Sequence, residues 1–278
     1  MSTHPTTLSA AEIAQFHDEG FVVVRGAFSP DDAAATRREW WAELAEVHGV
    51  REHDRATWRQ PRADLKAAKF APIGASLASP RVRGVIDDLV GAGAWPEPKH
   101  WGRVLTTFPE TRGAWDVPTK LWHSDNPCAW HRTAMNGVML FSFIGEVRPR
   151  SGGTLIIAGS PRLLQRLDRE LTRGGRKDDA AGNRDAFYRS HPWLKALAGH
   201  AASPADRIAA FMDDGAEIEG VRLRVVELTG APGDMVFCHP IIAHSAAPNH
   251  GEAPRFMRIA GVLARQALDY RSGRATPP

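Results

Sequence analysis

The feature of this sequence that most constrains its fold is an almost unbroken apolar run, Gly137 to Ile144. The run is far too short to cross a membrane, and its length suits a β-strand that is buried on both faces. Further strand-like segments, separated by turns that contain glycine or proline, lie at 100–108, 154–157, 221–228, 235–245 and 255–264. Several short strands with such turns between them predict a β core made of two packed sheets.

The N-terminal third has helical patterns instead. Ser9 and Glu12 have the spacing of a capping box, in which each side chain bonds the backbone N–H of the other residue. The acidic residues after Pro30 favour the start of a second helix. The elements predicted here are a helix from Ser9 to Gly20, a strand at 21–24, a helix from Pro30 to about Val47 and a helix from Pro80 to Leu89. We expect these helices to buttress the β core.

The segment 161–218 is polar, has helical patches and interrupts the strand-rich part of the chain. We interpret it as a helical insertion that lies over one mouth of the core. The predicted organisation is a single domain over 1–270, with a helical buttress at about 9–95, a β core at about 98–160 and 221–264, the insertion at about 161–218, and a flexible tail at 271–278.

The composition is that of an ordinary globular protein, with 43% hydrophobic residues, 24% charged residues and a net charge of +3. The chain has no dense Lys/Arg tract with interleaved aromatic residues, so we expect no nucleic-acid partner. It has no apolar run of about 18 residues, so we expect no membrane span. Two cysteines cannot form a disulfide framework and favour a reduced, cytoplasmic setting. We expect a small-molecule substrate and a monomer or homodimer.

The strongest chemical signal is the pair His123 and Asp125. Residues two apart on an extended chain project to the same side, so this imidazole and this carboxylate can share one metal ion. The pairs His17/Glu19 and His250/Glu252 have the same spacing. Spacing alone therefore does not decide that the first pair binds a metal.

A distant histidine would complete a triad of two histidines and one carboxylate. That arrangement leaves coordination positions open for oxygen chemistry on non-haem iron. His239, His244 and His250 compete for the role, and His250 lies in a polar loop. On a regular strand His239 and His244 face opposite ways, although Pro240 disturbs that count. The residues themselves leave the choice between these two open.

Four stretches occur in an order that is more specific than any one of them. They are 12–26, 122–125, 151–160, and 233–244 followed by Asn249 and Arg255. In this order they resemble the motifs of the phytanoyl-CoA dioxygenase family. The resemblance covers most of 8–264 apart from the insertion. It implies a mainly β fold with flanking helices, built on a double-stranded β-helix of the jelly-roll or cupin-like kind.

The resemblance also implies an activity. Family members are iron(II)- and 2-oxoglutarate-dependent dioxygenases that consume O2 and release succinate and CO2. It implies His123, Asp125 and His244 as the catalytic iron ligands, and thus favours His244 over His239. In related halogenases a small residue replaces the acid, so that chloride can bind iron. Because Asp125 fills that position, we expect hydroxylation of a small organic substrate.

Arg255, eleven residues after the distal histidine, is implied as the residue that binds the far carboxylate of 2-oxoglutarate. A guanidinium group can hold a carboxylate through two parallel hydrogen bonds. Arg258 is the alternative, but an offset of three residues puts it on the opposite face of the strand. We interpret Arg258 as a surface charge.

Other site residues follow from position relative to these motifs. Relatives often have a serine two residues after the distal histidine, where this chain has Ala246, with Ser245 one residue earlier. A threonine of the preceding strand, Thr106 or Thr107, offers a hydroxyl to the co-substrate. The predicted cofactor-binding set is Arg255, Phe141, Thr106 and Ser245, and the predicted substrate-contacting set is Trp122, Asn126 and Trp130.

Two other functions compete with this hypothesis. One is a different metal-dependent enzyme on the same fold, such as a cupin-type isomerase or hydrolase with zinc or manganese. Such an enzyme has no need of a carboxylate clamp like Arg255. The other is a non-catalytic binding protein on a degenerate oxygenase fold, which the intact triad argues against.

Overall fold

The computed structural model describes residues 7–59, 63, 65, 73–110, 113–125, 136–173 and 180–271. The strands are β1 (Phe21–Val24), β2 (Arg103–Thr107), β3 (Gly137–Phe143), β4 (Thr154–Ala158), β5 (Ala216–Ile218), β6 (Val221–Glu227), β7 (Met235–Cys238), β8 (His244–Ala246) and β9 (Arg255–Leu263). The helices are α1 (Ala10–Glu19), α2 (Pro30–His48), α3 (Gly74–Leu77), α4 (Pro80–Val90), α5 (Ser160–Arg173), α6 (Ala180–Arg189), α7 (Pro192–Leu197) and α8 (Arg265–Arg271), with a π-helical segment at Ala209–Asp214.

The strands form two antiparallel sheets. The five-stranded sheet has the order β1-β7-β3-β9-β2, and the four-stranded sheet has the order β5-β6-β4-β8. Apart from the β5–β6 hairpin, neighbours in each sheet are distant in sequence, so the chain crosses repeatedly from one sheet to the other. This is the double-stranded β-helix that the family resemblance implies, with helices on both sides.

Alternation along β3 shows how the strands divide the core. Met139, Phe141 and Phe143 point into the space between the sheets and pack with residues of the facing sheet such as Ile156. The intervening residues, such as Leu140, point outward. Every residue of β3 is buried, because both of its faces are covered. An unbroken apolar run is what a strand in that position requires.

The N-terminal helices cover the outer face of the five-stranded sheet. Trp40 and Trp41 of α2 pack edge-on against Phe256 of β9. The predicted capping box of α1 is present, with Ser9 and Glu12 bonded to each other's backbone N–H. α1 ends at Gly20, whose φ of 84° is the left-handed conformation that favours glycine. The predicted helix starts and ends of this third are confirmed.

The helices after Ser160 cover the outer face of the other sheet. Leu163 and Leu164 of α5 and Phe187 of α6 pack in one cluster with Leu223 and other outward residues of the four-stranded sheet. The prediction that this segment lies over a mouth of the core was wrong for the part that the structure describes. Its apolar residues instead complete the second helical layer, because the outer face of that sheet is itself apolar.

The segment predicted as one strand over 235–245 is two strands in different sheets. β7 ends at Cys238, and the chain then crosses to the four-stranded sheet, where β8 begins at His244. The crossing is fixed by backbone bonds of its own: the His239 N–H donates to Gly20, and the Ala243 N–H donates to the Ser160 hydroxyl. Pro240 has no N–H to continue a ladder. The counting rule for a regular strand therefore does not apply between His239 and His244.

The space between the sheets has two different ends. At the closed end, Phe143 pairs with the turn before β7, where its N–H donates to Asp234. Burial opposes ionisation of the Asp234 carboxyl, but hydrogen bonds from Arg25 and the N–H groups of Gly26 and Ala231 outweigh it and lower its pKa. At the open end, a cleft of about 350 Å³ lies between the start of β2 and the end of β9.

Three remaining predictions concern the tail, the cysteines and membrane spans. Residues 272–278 of the predicted tail lie outside the described residues, and α8 directly precedes them. Cys238 is a free, buried thiol, and burial raises its pKa. Among the described helices none is both long and apolar enough to span a membrane.

Candidate metal centre

A pair of backbone hydrogen bonds brings the two distant motifs together. The His123 N–H donates to the His244 carbonyl at 2.9 Å, and the His244 N–H donates to the His123 carbonyl at 2.8 Å. This isolated antiparallel bridge makes the two residues direct neighbours. Their ring centroids lie 4.2 Å apart. Both imidazoles therefore reach one point although 121 positions separate them in the sequence.

Asp125 completes the group. Its carboxylate oxygens lie 3.4 Å from Nε2 of His123 and 3.8 Å from Nε2 of His244. One potential ligand atom from each of the three residues lies within 4.8 Å of the other two. The two-residue spacing from His123 to Asp125 has the effect predicted from the sequence, since both side chains face the same point.

Backbone carbonyls fix the orientation of both rings. Nδ1 of His123 lies 2.7 Å from the Leu121 carbonyl, and Nδ1 of His244 lies 3.1 Å from the Ile242 carbonyl. With Nδ1–H as the donor, the lone pair of each Nε2 points toward Asp125. Leu121 has a φ of 67°, a left-handed conformation that is strained for leucine and that turns its carbonyl toward His123.

The surroundings favour the protonation states that bind metals. When no metal is bound and His123 is protonated, its Nε2–H donates to Asp125; this hydrogen bond lowers the pKa of Asp125 against the effect of burial, and positive charge on His244, His123 and Arg103 adds to the lowering. Burial and the charge of His123 lower the pKa of His244. Asp125 is therefore ionised and His244 neutral near pH 7, as ligation requires. Two imidazole nitrogens and one carboxylate on one side fit a divalent iron ion.

The competing histidine lies elsewhere. His239 is buried and stacks on Phe16 of α1 with ring centroids 6.3 Å apart. Its Nδ1 accepts the N–H of Ile241, and its Nε2 lies 3.4 Å from the side-chain nitrogen of Gln165. The structure thus places His244, and not His239, beside His123.

Arg255 lies deeper in the interior, at the closed end. Only 4% of its surface is exposed. Nη1 donates to the Gly152 carbonyl at 2.7 Å and lies 3.5 Å from the Thr154 hydroxyl, while Nη2 donates to the Thr107 hydroxyl at 2.9 Å. Asn249 supports this arrangement, because its amide donates to the Thr107 and Ala253 carbonyls. A buried guanidinium fixed by hydroxyls is suited to an anion with oxygen atoms.

The structure corrects two predictions about neighbouring residues. Thr106 faces the outer side of its strand, where its hydroxyl is bonded to the Ala63 backbone. Thr107, one residue later, is the threonine that contacts Arg255. Arg258 is on the face opposite Arg255, as predicted, but it is not a surface charge: it is 2% exposed and donates to the carbonyls of Trp101 and Gly102. Burial lowers its pKa to about 10.

The other predicted site residues have different surroundings. Phe141 is fully buried with its ring 6.3 Å from that of His244. The Ser245 hydroxyl points away from His244 and donates to the Lys120 carbonyl, so it holds the loop before His123. Trp122 packs under the second helical layer and donates to the Pro118 carbonyl, which removes it from the cleft. Asn126 and Trp130 lie outside the described residues.

Arg207 is a structural residue of the site that we did not predict. It is 6% exposed, and its guanidinium donates to the carbonyls of Val117, Pro118, Ala196 and Leu197. It lies 4.7 Å above the ring centroid of Phe211. Arg207 therefore ties the second helical layer to the loop that delivers His123 and Asp125. A lone arginine in a polar helical segment carries no sequence signal for this role.

Comparison with known proteins agrees with this geometry. The sequence model of the phytanoyl-CoA dioxygenase (PhyH) family matches residues 16–257. The chain belongs to the phytanoyl-CoA dioxygenase family. The match includes all three candidate ligands and Arg255. Among curated proteins, no sequence matches this chain.

Solved structures with this fold have low sequence identity to the chain. EctD from S. alaskensis with bound Fe has a TM-score of 0.55 at 19% identity, over 95% of this chain and 79% of that one. SnoK, an alpha-ketoglutarate-dependent carbocyclase from nogalamycin biosynthesis, has a TM-score of 0.52 at 15% identity, over 99% and 95%. The epimerase SnoN, solved with Fe3+ and alpha-ketoglutarate, has a TM-score of 0.51 at 18% identity, over 92% and 83%.

Proposed function

We propose that the protein is an iron(II)- and 2-oxoglutarate-dependent dioxygenase that hydroxylates a small organic molecule. The observation that carries the proposal is the convergence of His123, Asp125 and His244 within one metal-sized group. Their tautomers and ionisation states suit a divalent metal, and the family to which the chain belongs supports iron. When bound, iron would supply the activation of O2 that organic side chains cannot provide.

Arg255 is proposed to bind the far carboxylate of 2-oxoglutarate. The guanidinium lies between two hydroxyls, Thr107 and Thr154, in a buried part of the interior. Glu227 lies near enough for its charge to interact with Arg255, and an oxyanion bound at the guanidinium would compensate the buried charge further. With its far carboxylate held by Arg255, the acid would have its opposite, 2-oxo end free to reach a metal held by the triad. A zinc hydrolase gives no comparable role to this side chain.

The chain's own residues have three further tasks. Phe141 and the apolar residues around it exclude water from one side of the triad. The carbonyls of Leu121 and Ile242 hold the two imidazoles in the ligating tautomer. Asp125 provides the third protein ligand for the metal. The coordination position that chloride takes in related halogenases would therefore be filled by a carboxylate. The balanced reaction inserts one oxygen atom of O2 into a substrate C–H bond and the other into succinate, with loss of CO2.

SnoK is a carbocyclase and SnoN is an epimerase, so carbocyclisation and epimerisation also occur on this fold. Hydroxylation is proposed here because of Asp125. Location in the cytoplasm and the choice between monomer and homodimer stay predictions from the sequence.

The test is oxygen-dependent formation of succinate from 2-oxoglutarate by anaerobically iron-loaded protein. We expect succinate only after O2 is admitted, and a loss of most of it in Asp125→Ala and Arg255→Gln. Arg189→Gln, which changes an exposed arginine paired with Asp185, is the matched control and should behave as wild type. Iron-loaded protein that neither binds 2-oxoglutarate nor forms succinate would contradict the proposal.

A further inference from the structure

The cleft at the open end is lined by both charged and apolar side chains. Arg103, at the start of β2, lines it together with Asp125 of the triad. Met139, Ile259 and Leu263 are among its apolar lining residues, and His100 also lines it. The volume of about 350 Å³ suits a small organic molecule. Because Asp125 is part of the wall, a molecule in this cleft lies beside the proposed metal.

The Arg103 side chain is on the inward face of β2, although it is also exposed to solvent at the open end. Side chains alternate along β2: Thr106 faces the outer layer, whereas Thr107 contacts Arg255 inside and Leu105 packs in the interior cluster. Arg103 continues the inward series. It is near enough for its charge to act on both Asp125 and His244. Its guanidinium makes no hydrogen bond or ion pair with any residue that the structure describes.

Position along the strand separates Arg103 from the co-substrate. Four residues of extended chain, about 13 Å, separate it from Thr107, which contacts Arg255 at the closed end. The triad lies near the level of Arg103, since Arg103 and Asp125 line the same cleft. A positive charge beside a site for a divalent cation weakens metal binding unless an anion is also present. In the proposed function, the far carboxylate of 2-oxoglutarate is the anion that accompanies Arg255 at the closed end. Arg103 lies at the open end, so that carboxylate does not lie beside it.

Gly261 marks the space that a ligand would fill. It is exposed in the middle of β9 and pairs with the inward residue Met139. A Cβ atom added there would meet no atom of the described residues within 4 Å. Among the described residues the cleft is therefore open beside Gly261, two positions along β9 from Ile259, which pairs with Arg103. A larger side chain at this position would enter the cleft without disturbing the backbone.

We infer that the open cleft binds an oxyanion group of the substrate through Arg103, with the apolar part of the substrate against Met139 and Ile259. The substrate class is thus a small, mainly apolar carboxylic acid or phosphate ester. This inference rests on the proposed function, because the cleft is defined by its position beside the metal ligands.

The test uses protein loaded with manganese(II) and 2-oxoglutarate, and ligand-observed NMR relaxation to detect molecules bound near the metal. The probes are phenylacetate with phenylacetamide, 3-phenylpropionate with its amide, and phenyl phosphate with phenol. We expect relaxation enhancement for the anion of one or more pairs and at least tenfold weaker binding of the neutral partner. The carboxylate and phosphate arms show which oxyanion is preferred.

Variants decide whether the binding depends on Arg103. Arg103→Gln should weaken anion binding at least tenfold, Arg103→Lys should restore part of it, and Gly261→Val should abolish it by filling the cleft. Arg189→Gln, with the same loss of charge far from the cleft, should have no effect. Equal binding of acids and amides, anion binding that survives Arg103→Gln, or no anion binding at millimolar concentration would overturn the inference. Failure to bind manganese and 2-oxoglutarate, measured first, would instead count against the proposed function.

Discussion

The two ends of the space between the sheets each carry an inward-facing arginine, and the two arginines differ in almost every other respect. Arg255 is 4% exposed and bonded to hydroxyls and a carbonyl. Arg103 is exposed, and its guanidinium has no bonded partner among the described residues. A guanidinium fixed in advance suits one invariant anion, which is the role proposed for 2-oxoglutarate. A guanidinium without fixed hydrogen bonds at a wide cleft suits binding of the substrate, which differs from one enzyme to another.

The difference between the two arginines is tested most directly by replacing each one in turn and measuring the affinity for 2-oxoglutarate. We expect Arg255→Gln to weaken 2-oxoglutarate binding by about 2–4 kcal/mol, roughly 30- to 1,000-fold, because a buried charged hydrogen-bond partner is lost. Arg103→Gln should change it less than about threefold, as exposed charges do. Calorimetric titration of 2-oxoglutarate into anaerobic iron-loaded protein measures both. Equal losses in the two variants would show that Arg103 also serves the co-substrate.

Arg207 provides a second test, on the loop that leads to Asp125. Arg207→Met leaves several buried carbonyls without their donor, so we expect the free energy of unfolding to fall by about 2–4 kcal/mol. Iron affinity should fall as well, since the loop that holds His123 loses its anchor. Urea unfolding and iron titration of the same samples give both values. Arg189→Met is the exposed control, and similar behaviour of the two variants would mean that Arg207 is not an anchor.

Asp234, at the closed end, should make the free energy of unfolding depend on pH. The pKa of Asp234 is lowered in the folded protein, so its carboxylate stabilises the fold above the unfolded-state pKa of about 3.9, and this contribution is lost as pH falls through the folded pKa. We expect Asp234→Asn to lose about 1–3 kcal/mol at pH 7. The difference from wild type should shrink below about pH 4. Urea unfolding at a series of pH values measures it; a difference independent of pH would contradict the ionic origin.

The smallest expected effect tests whether Thr107, and not Thr106, helps to bind 2-oxoglutarate at the closed end. Thr107→Val removes one hydroxyl that contacts Arg255 and should weaken 2-oxoglutarate binding by about 1 kcal/mol, roughly fivefold. Thr106→Val is a matched control on the adjacent residue, and it should change stability but not co-substrate affinity. The sequence alone predicted that Thr106 binds the co-substrate. A loss of 2-oxoglutarate affinity only in Thr106→Val would support that prediction and contradict the assignment to Thr107.

Local rules account for the part of this structure that was predictable. The capping box at Ser9, the glycine stop at Gly20 and the doubly buried run of β3 depend on residues close in sequence. The alternation that separates Arg255 from Arg258 is equally local. The two-residue spacing of His123 and Asp125 fixed their common direction. For these features sequence and structure agree.

What could not be predicted depends on pairing across the fold. The crossing at His239–Ala243 sends His244 into another sheet, and no local pattern distinguishes such a crossing from one long strand with a proline in it. Arg258 looked like a surface charge because its partners, the Trp101 and Gly102 carbonyls, come from a distant segment. The choice of Thr107 over Thr106 depends on the register of β2 against β9, which is set by the whole sheet.

The central claim is that His123, Asp125 and His244, and not His239, hold one iron ion. Anaerobic iron(II) titration with metal analysis after dialysis tests it directly. We predict one iron per chain, and a loss of affinity of more than about 100-fold in His244→Ala, beyond the range typical of residues that only support a ligand. His239→Ala, checked for folding by circular dichroism, should keep the wild-type affinity. Wild-type iron binding by His244→Ala, or its loss in folded His239→Ala, would contradict the account.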